Sequence, residues 1–174
     1  MVLIIQGIDL LPPDNDFIDF DISTVNSTAV AIIIHGLEGN SHKAYVKGSA
    51  RAVNSIGIDA LAINLRGCSE EDNLLLTSYH SGKTDDLELI VNHAINKFSY
   101  ESVFILGFSL GGNITLKYAG EEFLKSQNKI KAVAAISVPC DLKATAFQMD
   151  KTSNYVYLHR FLKTLKKKSS IKQW

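Results

Sequence analysis

An apolar run, Val103-Phe104-Ile105-Leu106, leads straight into Gly107-Phe108-Ser109-Leu110-Gly111-Gly112. The run reads as a buried strand and the residues after it as the start of a helix, so a G-x-S-x-G sequence falls on the turn between them. A serine at such a turn takes up a strained backbone conformation that lifts its hydroxyl above the end of the sheet. The glycines around it let neighbouring backbone pass where a Cβ would collide. Ser109 is therefore the candidate nucleophile, with Gly107 and Gly111 as its supports. The plain alternative is a glycine-rich turn that only tightens a strand–helix junction, because the pentapeptide by itself is common. Context favours the first reading: a strand before, a helix after, and an upstream His35-Gly36 pair at the end of another apolar run.

That other run, residues 29–34, has six residues and no polar side chain, as a central parallel strand covered on both faces requires. Before it, residues 3–11 and 17–22 form an entry hairpin across Pro12-Pro13-Asp14-Asn15. In its second strand Phe17, Asp19 and Asp21 define a wet face, and Ile18, Phe20 and Ile22 a dry one. After it, residues 42–55 place Val46, Ala50 and Val53 at helical spacing and stop before Gly57. A strand over 58–65 follows. Thr84 is placed to cap a helix whose Asp85 and Asp86 complement the dipole and whose Leu87, Ile90, Val91, Ala94, Ile95 and Phe98 make one apolar stripe. The strand over 103–108, a helix over 112–123 and a strand over 131–138 complete the series. Its natural product is an α/β fold of three layers: a mostly parallel twisted sheet of about six strands, with an antiparallel strand at the N-terminal side. Past Pro139 the pattern changes, and Tyr155, Leu158, Leu162 and Leu165 recur beside lysines as an amphipathic helix. Residues 1–150 are thus expected to form the core, and 151–174 a basic helix and tail.

With 174 residues and 46% apolar content, the chain suits one domain that buries about 70% of its surface. Its formal charge of zero hides an asymmetry: every acidic residue lies at or before Asp150, leaving that segment at −7 and the remainder at +7. Lys151, Arg160, Lys163, Lys166, Lys167, Lys168 and Lys172 read as the solvated face of a helix. No aromatic residues alternate with them as a nucleic-acid surface would need, so no nucleic-acid partner is expected. Two cysteines, Cys68 and Cys140, without C-x-x-C spacing, read as reduced thiols of a cytoplasmic protein. The opening Met1-Val2-Leu3-Ile4-Ile5 is too short for a signal peptide or membrane span. Neither phosphate-loop pattern is present, and no metal or organic cofactor is implied.

Three segments should meet at the carboxyl ends of the strands, where open α/β sheets place ligands: His35-Gly36-Leu37-Glu38-Gly39, Arg66-Gly67-Cys68-Ser69 and the Ser109 turn. A tetrahedral intermediate needs preorganised donors, and the backbone N–H groups of Leu37 and Leu110 are the candidates for an oxyanion hole. His35, which precedes the serine and adjoins this loop, reads as a loop-orienting residue rather than the base.

These ordered segments, together with Tyr45-Val46-Lys47-Gly48, Asn64-Leu65-Arg66-Gly67-Cys68-Ser69, Tyr79-His80-Ser81-Gly82-Lys83-Thr84-Asp85-Asp86-Leu87 and Ser137-Val138-Pro139-Cys140-Asp141-Leu142, resemble the YheT-like branch of the α/β-hydrolase superfamily over about residues 12–168. The resemblance implies a carboxylic-ester hydrolase fold with Ser109 as nucleophile, a small-molecule ester as substrate, and a cap region beginning over 155–168. It also implies an acid and a histidine on later strands, whereas only 65 residues follow Ser109 here. Within the chain the candidates for those roles are Asp141, which follows a strand, and His80, in the loop before the Thr84 helix, with a structural or pocket role as the other reading of His80. His42, His93 and His159 fall on presumptive helices. The expected consequences are weak or absent turnover and an open sheet edge after 131–138 that could drive self-association. The rival reading is a non-catalytic remnant or binding module, or one half of a split hydrolase.

Overall fold

Six consecutive apolar residues can be buried only where both faces of a strand are covered. Ala29–Ile34 (β3) takes that place in the computed structural model, which describes residues 4–10, 14–69, 71–122 and 129–171. β3 lies between β4 (Asp59–Asn64) and β5 (Ser102–Phe108) and is parallel to both. Ile32, Ile33 and Ile34 lose all solvent contact, each burial stabilising the fold by about 1.5–3 kcal/mol. β6 (Ile130–Ile136) extends the parallel set beyond β5. On the other side β2 (Ile18–Ser23) joins β4 antiparallel, and β1 (Ile4–Leu10) pairs antiparallel outside it. The six-stranded order is β1-β2-β4-β3-β5-β6. The expected turn residues Pro12 and Pro13 lie outside the described residues, as do Phe123, Lys172 and Trp174.

Helices cover the sheet in two layers. On one face α2 (Asp85–Asn96) and α3 (Leu110–Glu122) bury Leu87, Ile90, Val91, Ala94, Ile114 and Tyr118 against Phe20, Ile32, Ile34 and Ile105. On the other, α1 (Ala44–Ser55) lays Val46 and Ala50 over Ile33, Ala60 and Ala62. α1 ends at Gly57, whose φ of +80° only a glycine adopts without strain. Gly57 N–H returns to Asn54 O (3.0 Å) and Ile58 N–H to Val53 O (3.3 Å), the paired bonds of a Schellman end. The chain forms two compact units, Met1–Val138 and Pro139–Trp174. The second holds α4 (Leu142–Met149), a short 3-10 turn and α5 (Tyr155–Ile171). The sequence reading had only the last of these.

Three local expectations are corrected. Thr84 makes no cap hydrogen bond; its hydroxyl donates instead to Glu121 Oε2 (2.8 Å), tying the start of α2 to α3. The wet face of β2 is not wet: Asp19 is buried and accepts from Asn64 of β4, and Asp21 is half-buried. An antiparallel neighbour carrying its own amide covers what alternation alone would leave to water. β5, finally, is not buried on both faces. Val103 and Ile105 are buried, while Phe104, Leu106 and Phe108 keep partial exposure. Their partners Ala132, Ala134 and Ile136 on β6 are exposed, Ile136 at 44%. Within the first unit α1 packs over β3 and β4 on this face and reaches β5 at Phe108.

One buried cation organises the segment between β4 and α2. The Arg66 guanidinium, 4% exposed, meets Asp86 twice over (2.8 and 2.9 Å), Asp14 (2.7 Å) and Asp16 (3.2 Å). Burial would lower its pKa, but the carboxylates of Asp86 and Asp14 outweigh that and raise it. Asp16 is fully buried and also accepts from Asn73 Nδ2 (3.0 Å) and from the N–H groups of Phe17 and Leu74. Burial would raise its pKa; the hydrogen bonds from Asn73, Leu74, Phe17 and Leu75 prevail and hold it below the ordinary 3.8.

Removing one partner of such a cluster leaves the others charged and buried, so Arg66→Ala is expected to cost about 3–5 kcal/mol, read as a lower urea midpoint with unchanged slope. Because the Asp16 carboxyl is depressed, its stabilisation is complete above pH 3.8 and is lost as pH falls through the lowered value. Asp16→Asn should therefore flatten the loss of stability below that pH in acid titrations followed by circular dichroism.

Candidate functional site

β5 ends at Phe108, α3 begins at Leu110, and Ser109 between them has a φ of +52°. A left-handed serine is strained by about 1–2 kcal/mol, and the surroundings hold it there. Its N–H donates to Ile136 O of β6 (2.8 Å), and its carbonyl accepts from Asn113 N–H (3.2 Å). The flanking glycines are demanded by contact. A Cβ at Gly107 would run into Thr115 Oγ1 and the Gly111 carbonyl, and one at Gly111 would sit 2.5 Å from His35 O and 2.6 Å from Ile34 O.

The loop after β3 reaches the same spot. In the β3–β5 ladder Ile34 lies opposite Gly107, and the place of a Cβ on Gly36 is 3.1 Å from Ser109 Cβ and 3.7 Å from Ser109 Oγ. His35 is fully buried. Its Nδ1 lies 2.7 Å from Gly36 O and its Nε2 accepts from Leu65 N–H (3.1 Å). Those partners fix a neutral ring protonated on Nδ1 and leave neither nitrogen to take a proton from Ser109. Through Leu65, His35 also ties the loop to the Arg66-Gly67-Cys68 segment, which turns by a Cys68 N–H to Leu65 O bond (2.8 Å).

Leu37 follows the glycine that touches Ser109, and Leu110 follows Ser109 itself. Among the described residues neither of these two N–H groups is bonded within the chain. The arrangement therefore presents a serine hydroxyl with two unspent backbone donors belonging to adjacent segments, at the carboxyl ends of three parallel strands.

The expected acid and base candidates each have a local hydrogen-bond partner. His80 is exposed, and its Nδ1 accepts from Gly82 N–H (3.1 Å) in a local turn. Asp141 belongs to the second unit and caps α4, with Oδ1 accepting from Ala144 N–H (2.8 Å). His93 packs edge-on against Phe20 and Phe98, and burial, then Lys97, lowers its pKa. His42 lies 3.9 Å from Asp21, and His159 stacks on Tyr155 in the second unit. Among the described residues no hydrogen bond joins the Ser109 hydroxyl to a histidine. Sequence reasoning missed two residues here. Tyr45 OH accepts from Gly36 N–H (3.0 Å), and Tyr79 OH accepts from Glu38 N–H (3.0 Å). No spacing rule joins Tyr79 to a loop 41 residues upstream.

Against known proteins, the family of the alpha/beta hydrolase fold matches residues 30–171. The chain belongs to that family. YheT of Escherichia coli (strain K12) is 30% identical over 158 residues, 88% of this chain and 46% of that protein, which places the chain in a YheT-like branch. The monoacylglycerol lipase of Saccharomyces cerevisiae is 30% identical over 141 residues, covering 80% of this chain and 30% of the lipase. The chain thus spans less than half the length of these relatives. Among solved structures, the esterase Pf2001 of Pyrococcus furiosus superposes with a TM-score of 0.70 at 18% identity, over 90% of this chain and 62% of that one, and shares its fold. For a hydrolase-fold chain the order found here, β3 loop, serine turn, helix, is a matter of backbone contact. Gly111→Ala, which drives a Cβ into two backbone carbonyls, is expected to cost at least about 1–3 kcal/mol. Gly120→Ala in the same helix, with nothing within 4 Å, should stabilise by about 0.5–1 kcal/mol. Paired thermal melts of the two variants check this.

Proposed function

We propose that the chain carries the nucleophile half of a serine hydrolase acting on small carboxylic esters. The observation that carries this reading is the strained Ser109 held against Gly36, with the Leu37 and Leu110 N–H groups unspent beside it. Ser109 Oγ attacks the ester carbonyl carbon and its proton passes to a base. The carbonyl oxygen, now negative, is held by the two amides; the C–O bond to the alcohol breaks, and the acyl-serine is cleaved by water. The relatives named as a lipase and an esterase support an ester as substrate. Residence in the cytoplasm belongs to the same reading, supported by the two free thiols Cys68 and Cys140. Among the described residues no helix is long and apolar enough to cross a membrane.

No base is assigned within these 174 residues, so the isolated chain is expected to be a poor esterase. Oxyanion stabilisation and binding without a complete triad leave roughly 10³ to 10⁴-fold acceleration over water, enough for faint hydrolysis of p-nitrophenyl acetate. Kinetics of the wild type, Ser109→Ala and His80→Ala test the assignment. Because that activity comes from binding and the oxyanion donors, Ser109→Ala and His80→Ala should each leave it at a similar faint level, while a fluorophosphonate should label Ser109 of the wild type. Robust turnover lost in both variants would make His80 the base, and a folded wild type that takes no label at Ser109 would remove the nucleophile.

A second reading, a non-catalytic binding module or one half of a split hydrolase, is favoured by the apolar surface of Phe104, Leu106, Ala132, Ala134 and Ile136. Self-association through the β6 edge goes with it, since that strand is paired on one side and carries few charges to discourage edge pairing. Sedimentation at increasing concentration should show dimers or larger species, and substituting Ala134→Lys should dissolve them.

A further inference from the structure

The loop that follows β3 offers three consecutive N–H groups, those of Gly36, Leu37 and Glu38, and two of them are taken by tyrosine hydroxyls. Gly36 N–H donates to Tyr45 OH at 3.0 Å, and Glu38 N–H donates to Tyr79 OH at 3.0 Å. The two tyrosines come from different places, α1 and the segment before α2, and reach the loop from either side of Leu37. Each is secured at a second point. The Tyr45 ring packs edge-to-face on Phe108, the residue before Ser109, with centroids 4.9 Å apart. Tyr79 OH donates back to Glu38 Oε1 at 2.6 Å, so one hydroxyl closes a ring through the main chain and side chain of the same residue. Burial first, and then Cys68 and Glu38, push the Tyr79 phenol well above its usual range, so it stays protonated and able to donate. Glu38 itself stands at a φ of +54°, a conformation that costs energy and needs such bonds to persist.

We propose that Tyr45 and Tyr79 are positioning residues whose hydroxyls clamp the Gly36 and Glu38 amides and so aim the one unspent donor between them, Leu37 N–H, at the acyl oxygen of a substrate on Ser109. The inference rests on the reading of Ser109 as nucleophile and adds a means of holding the oxyanion loop. A donor is worth most when it is fixed before charge develops. β3 ends at Ile34, so the loop is held by single bonds: Gly36 O, on the peptide that carries Leu37 N–H, accepts from Gly39 N–H (2.9 Å) and lies 2.7 Å from His35 Nδ1, and the two tyrosines hold the peptides on either side. The clamp also determines which amides are excluded. With the N–H groups of Gly36 and Glu38 committed, a carbonyl oxygen can be met only by Leu37 from this loop and by Leu110 from the serine turn. Tyr45, touching Phe108 with its ring and Gly36 with its hydroxyl, keeps those two segments in register.

The test separates positioning from a purely structural role. The 174-residue chain is treated with an alkyl fluorophosphonate, whose phosphonyl oxygen occupies the position of the acyl oxygen, and the saturating inactivation rate and the half-saturating concentration are measured separately. The variants are Tyr45→Phe and Tyr79→Phe, which keep the rings and their packing, with thermal melts alongside. The saturating rate should fall about 10- to 100-fold in each, as expected of misaimed groups, with the half-saturating concentration within about twofold. In ¹⁵N spectra the Leu37 amide proton of the wild type should move downfield on labelling, and by less in Tyr79→Phe. Should one variant fail to fold, the other carries the same comparison. If wild type labels at Ser109 and both folded variants match its rate, the clamp alone is overturned. If the folded wild type does not label at Ser109, the nucleophile reading falls and the clamp with it.

Discussion

Parallel pairing of β3 with β5 sets Ile34 opposite Gly107, so two backbones leave the sheet side by side, and the site exists only if they can stay in contact. Three missing side chains allow it. Without a Cβ at Gly107 the turn can fold back over Thr115 and Gly111; without one at Gly111 the start of α3 can lie on the carbonyls of Ile34 and His35. Without one at Gly36 the loop can rest against Ser109. The strain at Ser109 and at Glu38 is then borne by ordinary hydrogen bonds to Ile136, Asn113 and Tyr79. The contacts that make the turn possible also leave the Leu37 and Leu110 amides without hydrogen-bond partners among the described residues.

A second constraint acts at a distance from the serine. Arg66 gathers Asp14, Asp16 and Asp86 around one buried guanidinium, and Asn73 joins Asp16 to the segment that runs on towards Tyr79. A guanidinium suits this position because its fork meets several carboxylates in fixed directions, which an ammonium does not. The segment between β4 and α2, irregular in its described residues, is thus pinned at its start by charge and near its end by the Tyr79 bond to Glu38. Stability of the fold and placement of the loop after β3 share one stretch of chain.

Much of this was legible because it is local. The apolar run at 29–34, the glycine after α1, the stripe on α2 and the glycine-rich turn at Ser109 each follow from a residue's own conformational preferences or from periodicity. The misreadings share a cause. Thr84 was expected to cap because threonine before two aspartates caps elsewhere, yet Glu121 on α3 claims its hydroxyl. Asp19 was expected in water because strands alternate, yet Asn64 across the ladder meets it. The run at 103–106 was expected to be a buried strand, yet α1 lies over β3 and β4 and reaches β5 only at Phe108, and Phe104 and Leu106 are part-exposed. In each case a neighbour far along the chain decided the outcome.

By itself the amino-acid sequence determined the elements up to β6, with α5 after them but not α4, and their alternation into a mostly parallel sheet, and it named Ser109, Gly36, Leu37 and Leu110 as candidates for one site. Backbone preference and hydrophobic period are properties of short segments and can be read there. Only the tertiary structure decided that both nitrogens of His35 are occupied, that His80 turns back on its own loop, and that Tyr45 and Tyr79 hold the amides on either side of Leu37. Hydrogen-bond partners are chosen by proximity in space, and for Tyr79 and Glu38 that proximity spans 41 residues of chain.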